Sequence, residues 1–255
     1  MAELVRRRGL IGYLVLSSLK TANKSTYLGY VWWVLDPLLM MLVYVLLVRV
    51  VFERGGPDYA FFVLLGILPW KCFKVSTEHS ITSLIGAERL IKQLVFPKAV
   101  LPIAAILASF VHLGVGLLVL LPVMMLLFKV PLTPALLFLP IVGLVQFCLT
   151  LGIALFLAAL NLFLRDVQNI TKFLLQIWFY ASPGIYPLTS VPETIRPLYM
   201  LNPFATIFTA YRDAVMYGNL PELNYFLFTS FMSLLALIAG IAFFHKCEPS
   251  FAKIL

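Results

Sequence analysis

The chain has 255 residues, 62% of them hydrophobic and 12% charged, with a mean hydropathy of +1.00. Such values exclude an ordinary soluble domain and leave room for about six spans of ~20 residues, a single membrane domain 1–255 without a separate soluble catalytic module. In so apolar a chain the net charge of +8 points to basic loops beside an anionic leaflet rather than to nucleic acid.

The N-terminal stretch "RRRGLIGYLVLSSLKTAN" imitates a signal peptide, but its apolar run, Leu10 to Leu19, is followed at once by Lys20 and Lys24. Residues 1–29 are therefore expected as an uncleaved amphipathic interface region. Six apolar runs follow, at about 31–52, 60–84, 99–128, 134–163, 170–187 and 223–244, each read as a transmembrane helix. Pro37, Pro69, Pro102, Pro122, Pro140 and Pro183 interrupt them, which neighbouring helices in a bundle can accommodate. With both termini on one side, 12 of the 19 basic residues fall on that side and five on the other, which predicts cytoplasmic termini.

In the second run, Lys71 and Lys74 lie on one helix side, with Glu78 four residues beyond Lys74. A charge in hydrocarbon costs at least ~2.5–3.5 kcal/mol, so these lysines are expected to face water or the bundle interior. They line an anion-attracting conduit, or Lys74 pairs with Glu78, or the lysines reach toward an interface. Trp70, Phe73, Phe173, Trp178 and Tyr180 are packing or lipid-facing groups, or surfaces on which sugars stack. Between the second and third runs, "ERLIKQLVFPK" reads as a short charged helix, with Leu90, Ile91, Leu94 and Val95 on one face and Glu88, Arg89 and Lys92 around the other. It is a connector, an interfacial helix or a docking element. Ala104 with Ala108, Ala154 with Ala158, and Gly114 and Gly116 provide close-packing surfaces. After the fifth run, "NPFATIFTAYRDAVMYG" carries a cap at Asn202, a first-turn Pro203 and a stop at Gly218. This helix, too short to span, is expected to re-enter or lie on the outer leaflet, as a filler or a gate.

Catalytic chemistry is not expected. His79, His112 and His245 are isolated, no metal-ligand spacing or P-loop pattern occurs, and Cys72, Cys148 and Cys247 form no disulfide framework.

Four stretches resemble the membrane subunits of type-2 ABC polysaccharide exporters: "YLGYVWWVLDPLLMMLVY" (27–44), "LLGILPWKCF" (64–73), "LIKQLVFPKAVLP" (90–102) and "LNPFATIFTAYRDAVMYG" (201–218). The lysines 71 and 74 depart from the pattern. The resemblance implies an all-α permease with six transmembrane helices, an N-terminal interface helix, cytoplasmic coupling helices and an outer re-entrant segment at about 188–218. It implies a homodimer on two copies of an ABC ATPase that binds ATP and Mg, so that no cofactor belongs to this chain. The cargo is a lipid-linked glycan such as O-antigen, teichoic acid or capsule, and the location is the bacterial inner membrane. By the same resemblance, Glu88, Arg89, Leu90, Ile91, Lys92, Leu94, Val95, Arg165 and Asp166 couple to the ATPase. Arg6, Arg7 and Arg8 meet the lipid pyrophosphate. Trp70, Lys71, Phe73, Lys74, Trp178 and Tyr180 line the path, and Phe204, Phe208 and Tyr211 gate the outer exit. Rival readings are an exporter of a drug or small lipid, an ion-coupled flippase with a Lys74–Glu78–His79 relay, and a membrane transferase.

Overall fold

The computed structural model describes residues 8–22, 27–94 and 96–255, excluding the side chains of Arg8, Thr21, Ala22 and Tyr30. Among the described residues the regular structure is entirely helical. Helix α1 (Arg8–Ala22) packs against the third apolar run. Five helical stretches are long and apolar enough to cross a membrane: α2 (Trp32–Val51, its last turn a π-helix), α3 (Tyr59–Gly86), α5 (Val100–Phe128), α6 (Pro134–Phe163, opening on a 3-10 turn) and Leu223–Ile254, of which α10 is Leu223–Cys247. Helix α4 (Glu88–Gln93) joins α3 to α5.

The run expected at 170–187 takes a different form. Helix α7 covers Val167–Tyr180, 14 residues, or about 21 Å at ~1.5 Å per residue, against a hydrocarbon core of ~30 Å. Pro183 and Gly184 then carry the chain through turns, because proline supplies no N–H to continue the ladder.

Helix polarity follows from the contacts. Helix α2 runs antiparallel to α3: Asp36 meets Lys71, and Met41, Tyr44 and Val48 pack beside Tyr59 and Phe62. Helix α5 also opposes α3, with Cys72 Sγ donating to the Ser109 carbonyl and Ser80 Oγ to that of Pro102. Helix α6 runs parallel to α3, Gln146 Nε2 meeting the Pro69 carbonyl at 2.8 Å and Asn161 Nδ2 that of Ile81 at 3.1 Å. Helix α10 runs parallel to α6, from Phe138–Phe226 near one end to Phe156–Phe243 near the other. The start of α2 and the ends of α3, α6 and α10 therefore share one end of the bundle, the base. Two successive parallel helices require a return between them. Helix α7 and the turns after it provide that return, reaching the top where the Tyr59 hydroxyl donates to the Ile185 carbonyl at 2.7 Å.

From the top the chain makes a short helix, α8 (Arg196–Tyr199), then α9 (Pro203–Arg212), which continues as a π-helical turn, Asp213–Tyr217. The expected punctuation is present: Asn202 Oδ1 accepts from the Phe204 N–H at 3.1 Å, Pro203 occupies the first turn, and Gly218 stops the helix at φ 67°. Helix α9 does not lie on a surface. Phe204, Ile207, Phe208 and Tyr211 are buried, and so are Thr206 and Arg212 from other sides of the helix.

Arg212 closes this arrangement at 2% exposure. Its Nε donates to the Phe62 carbonyl at 3.2 Å, Nη1 to that of Pro183 at 2.5 Å and Nη2 to that of Gly184 at 2.6 Å, with the Phe62 ring 3.5 Å from the guanidinium. These bonds satisfy carbonyls of the turn, as backbone away from water requires. Gly66 makes room, since a Cβ there would overlap the Gly184 carbonyl and Arg212 Nη2.

The small residues expected at helix contacts, Ala104, Ala108, Ala154 and Ala158, are buried. The tightest crossing uses Gly152 of α6 and Gly240 of α10, where a Cβ on either would overlap the other helix's backbone. Gly240→Leu should therefore lower stability by about 1–3 kcal/mol or more, whereas Gly114→Ala, which faces open space, should be neutral. Midpoints of thermal unfolding in detergent test this pair, and equal midpoints would refute the close crossing.

Candidate functional site

The centre of the bundle is aromatic. Trp70 and Phe73 of α3, Trp178 of α7 and Phe204 of α9 pack with ring centroids 4.6–6.2 Å apart, in tilted and edge-to-face geometries that aromatic quadrupoles favour. Phe208 joins them. Asn202 organises the rim, accepting from Trp178 Nε1 at 2.9 Å and donating to Ser182 Oγ at 2.8 Å. The Tyr211 hydroxyl donates to Gln146 Oε1 at 3.1 Å. Thus Trp70, Phe73 and Trp178 meet Phe204 and Phe208 in one closed core. Tyr180 is half exposed at the margin of this core, its ring edge-on to Phe179 at 5.5 Å and its carbonyl accepting from the Tyr186 hydroxyl.

Lys71 and Lys74 separate. Lys71 Nζ pairs with the Asp36 carboxylate of α2 in a cavity of about 250 Å³ lined by Trp32, Trp33, Asp36, Lys71 and His112, among others. The Trp33 and His112 rings lie 4.0 Å apart, and His112 Nε2 is buried without a hydrogen-bond partner. Lys74 is exposed, and among the described residues no ion pair joins it to Glu78. Two indole faces, an acid–base pair and an imidazole nitrogen can stack on and hydrogen-bond one hydroxylated ring or a small headgroup. The volume lies below the ~300–1,000 Å³ of larger ligand clefts.

Two cavities open at the top. The larger, about 550 Å³, is lined by Arg54, Asp58, Tyr59, Tyr186 and Tyr217, among others. The smaller, about 240 Å³, contains Arg212, Asp213, Glu222 and Tyr225. Burial raises the Asp213 carboxyl to about 6; Arg212 opposes the shift and Glu222 reinforces it.

At the base, α4 ends at Gln93, and Leu94 is already extended. Ile91 is buried, whereas Leu90 and Leu94 are 45% and 57% exposed, so the expected apolar face divides between core and surface. Arg89 is exposed. Lys92 bonds Glu88 Oε1 at 2.7 Å, and that bond chiefly holds the Glu88 carboxyl below its usual range; Arg165 adds to the effect. The connection with Arg165 and Asp166 therefore lies at the same end, both side chains exposed. Arg6, Arg7 and Val95 lie outside the described residues, as does the Arg8 side chain.

Sequence reasoning missed Asp36 and the internal role of Arg212. Asp36 had a signal: it is the sole charge between Trp32 and Leu47, and an isolated charge in such a run needs a partner.

The sequence profile of the ABC-2 type transporter family matches residues 10–216. The O-antigen export system permease protein RfbA of Myxococcus xanthus is 33% identical over 253 residues, covering 98% of this chain and 97% of that protein. The RfbA of Klebsiella pneumoniae is 30% identical over 250 residues, with coverages of 96% and 95%. The polysialic acid transport protein KpsM of Escherichia coli is 25% identical over 251 residues, 93% of each.

Replacing one member of the Asp36–Lys71 pair leaves the other charge unpaired. Asp36→Asn or Lys71→Met alone should destabilise more than the double variant, with a coupling of about 0.5–1 kcal/mol for this half-exposed pair; additive denaturation energies would dissolve the pairing. The raised Asp213 carboxyl binds its proton more tightly in the folded state. Its contribution is complete below the unfolded value of 3.8 and disappears as pH rises through about 6. Stability should fall across that window and flatten in Asp213→Asn; an unchanged pH profile in the variant would remove Asp213 as the cause.

Proposed function

Because this chain belongs to the ABC-2 type transporter family, we propose that it is the membrane subunit of an ATP-driven polysaccharide exporter. It is a multi-pass membrane protein, and the observation that carries the functional reading is its similarity, over almost its whole length, to O-antigen permeases and a polysialic acid transporter. Membership implies an ATPase partner and a polysaccharide substrate.

The finer mechanism is our proposal. The chain lies in a bacterial inner membrane with the base towards the cytoplasm, an orientation supported by the excess of lysine and arginine at that end. A separate ATPase, present in two copies, binds ATP and Mg and hydrolyses the nucleotide. It docks on Glu88, Arg89, Leu90, Lys92 and Leu94, with Ile91 and Val95 completing the coupling segment and Arg165 and Asp166 making a second contact. The exposed Leu90 and Leu94 beside fixed charges support this assignment.

Two copies of the chain enclose the path. Within one copy, Pro37 is the sole buried residue of Trp32–Val45, and α7 exposes Phe173, Leu174, Ile177 and Tyr180. These are the faces left for a second subunit. A lipid-linked glycan of the O-antigen, teichoic acid or capsule class enters at the base, its pyrophosphate met by Arg6, Arg7 and Arg8. Its sugars contact Lys71, Lys74 and Tyr180, and then Trp70, Phe73 and Trp178 once the core opens. Phe204, Phe208 and Tyr211 form the closed outer gate. In this state these aromatics fill the bundle, so conduction requires α9 to move against α3 and α7.

Purification of the intact protein from its own membranes tests the reading. A stoichiometric ATPase should accompany it, and Leu90→Glu/Leu94→Glu should remove the ATPase and stop export while leaving the permease folded. A folded wild-type protein recovered without an ATPase would favour the ion-coupled alternative.

A further inference from the structure

Helix α4 is too short to hold its own position. Six residues make fewer than two turns, and isolated helices of that length are unstable in water. It has one buried side chain, Ile91, and the cluster that buries Ile91 includes a residue from the far end of the chain. After α10 the backbone turns through Glu248–Ser250 into a last short helix, α11 (Phe251–Ile254). Phe251 is fully buried in the cluster that holds Ile91 and Leu84, and its ring meets Phe244 edge-on at 5.2 Å.

Two further ties run between the same segments. Glu248 Oε1 accepts from the Lys98 backbone N–H at 2.9 Å, where the chain leaves Pro97 for α5. Lys92 Nζ reaches the Leu255 carbonyl at 2.5 Å. The second tie is exposed, and exposed ion contacts contribute little. Phe251 is buried, and the Glu248 side chain is only 21% exposed. The connection is therefore tied to 248–255 at Ile91, at Lys92 and at Lys98.

We infer that residues 248–255 position the coupling helix, with Phe251 and Glu248 as the positioning residues that join it to α10. A push on α4 is then delivered to α10 as well as to α3 and α5. Helix α10 crosses α6 at Gly152 and Gly240, so the displacement passes into the bundle through a contact without compressible side chains. This inference rests on α4 being the coupling helix.

The test uses the permease–ATPase complex from native membranes, reconstituted with lipid-linked glycan extracted from the same cells. Phe251→Ala and Glu248→Ala should leave the ATPase bound and hydrolysis within about twofold, while glycan exported per ATP falls about tenfold and amide exchange across 88–94 rises at least ~10-fold. Phe251→Leu and Glu248→Gln, which keep an apolar plug and an acceptor, should restore both. An unchanged export ratio in the alanine variants, or unchanged exchange at 88–94, overturns the inference. Glu248→Ala carries the test alone if Phe251→Ala does not fold. Leu90→Glu reports separately on the premise: a folded Leu90→Glu chain that keeps its ATPase and its export removes α4 as the coupling helix, and the inference falls with it.

Discussion

Three carbonyl oxygens meeting one guanidinium hold the upper half of this protein together. The chain leaves helical geometry at Pro183 and Gly184; both residues are buried, and the freed backbone groups need protein partners. Each such group left alone in hydrocarbon costs several kcal/mol. Arg212 spans the break from a different helix and gathers carbonyls from α3 and the turn. A lysine has no planar fork for such divergent acceptors. Among the described residues no carboxylate forms a salt bridge with Arg212; its direct contacts are the carbonyls and the Phe62 ring, with Asp213 nearby, leaving its position specified from several directions at once.

That clamp explains why the aromatic core sits where it does. With Pro183 and Gly184 fixed, Ser182 is placed against Asn202, and Asn202 both caps α9 and holds the Trp178 indole. Phe204, two residues on, is thereby packed against both Trp70 and Phe73. A movement of α9 large enough to open a path must exchange these ring contacts together, because each aromatic touches several others. Close-packed cores favour discrete alternatives over gradual loosening.

Much of the helical plan was legible because hydropathy reports segments that avoid water. Five runs became long helices, and the caps of α9 appeared at Asn202 and Gly218, where local backbone chemistry dictates them. Hydropathy does not distinguish a face turned to lipid from one turned to protein, so α9, amphipathic on paper, could be buried all round. The fifth run contained its own warning in Pro183 and Gly184, but its apolar neighbours outweighed them in any window average. The role of Phe251 had no local signal. It depends on packing across about 160 residues of chain, between Ile91 and a segment beyond the last predicted span. The candidate path was the least legible part: Lys71 and Lys74 share a helix side, but only the fold shows that Asp36 takes one and leaves the other exposed.

The Asp36–Lys71 contact also bears on how the chain reaches its membrane. During synthesis Asp36 emerges 35 residues before Lys71. A charge in a lone helix costs up to roughly 2.5–3.5 kcal/mol, the upper end applying at the bilayer centre, and Trp32–Val45 of α2 buries only Pro37 in its own chain to offset such a cost. Partition as a two-helix hairpin lets the charges neutralise one another on the way in. The hairpin of α2 and α3, rather than either helix alone, is then the smallest unit in which both charges are paired.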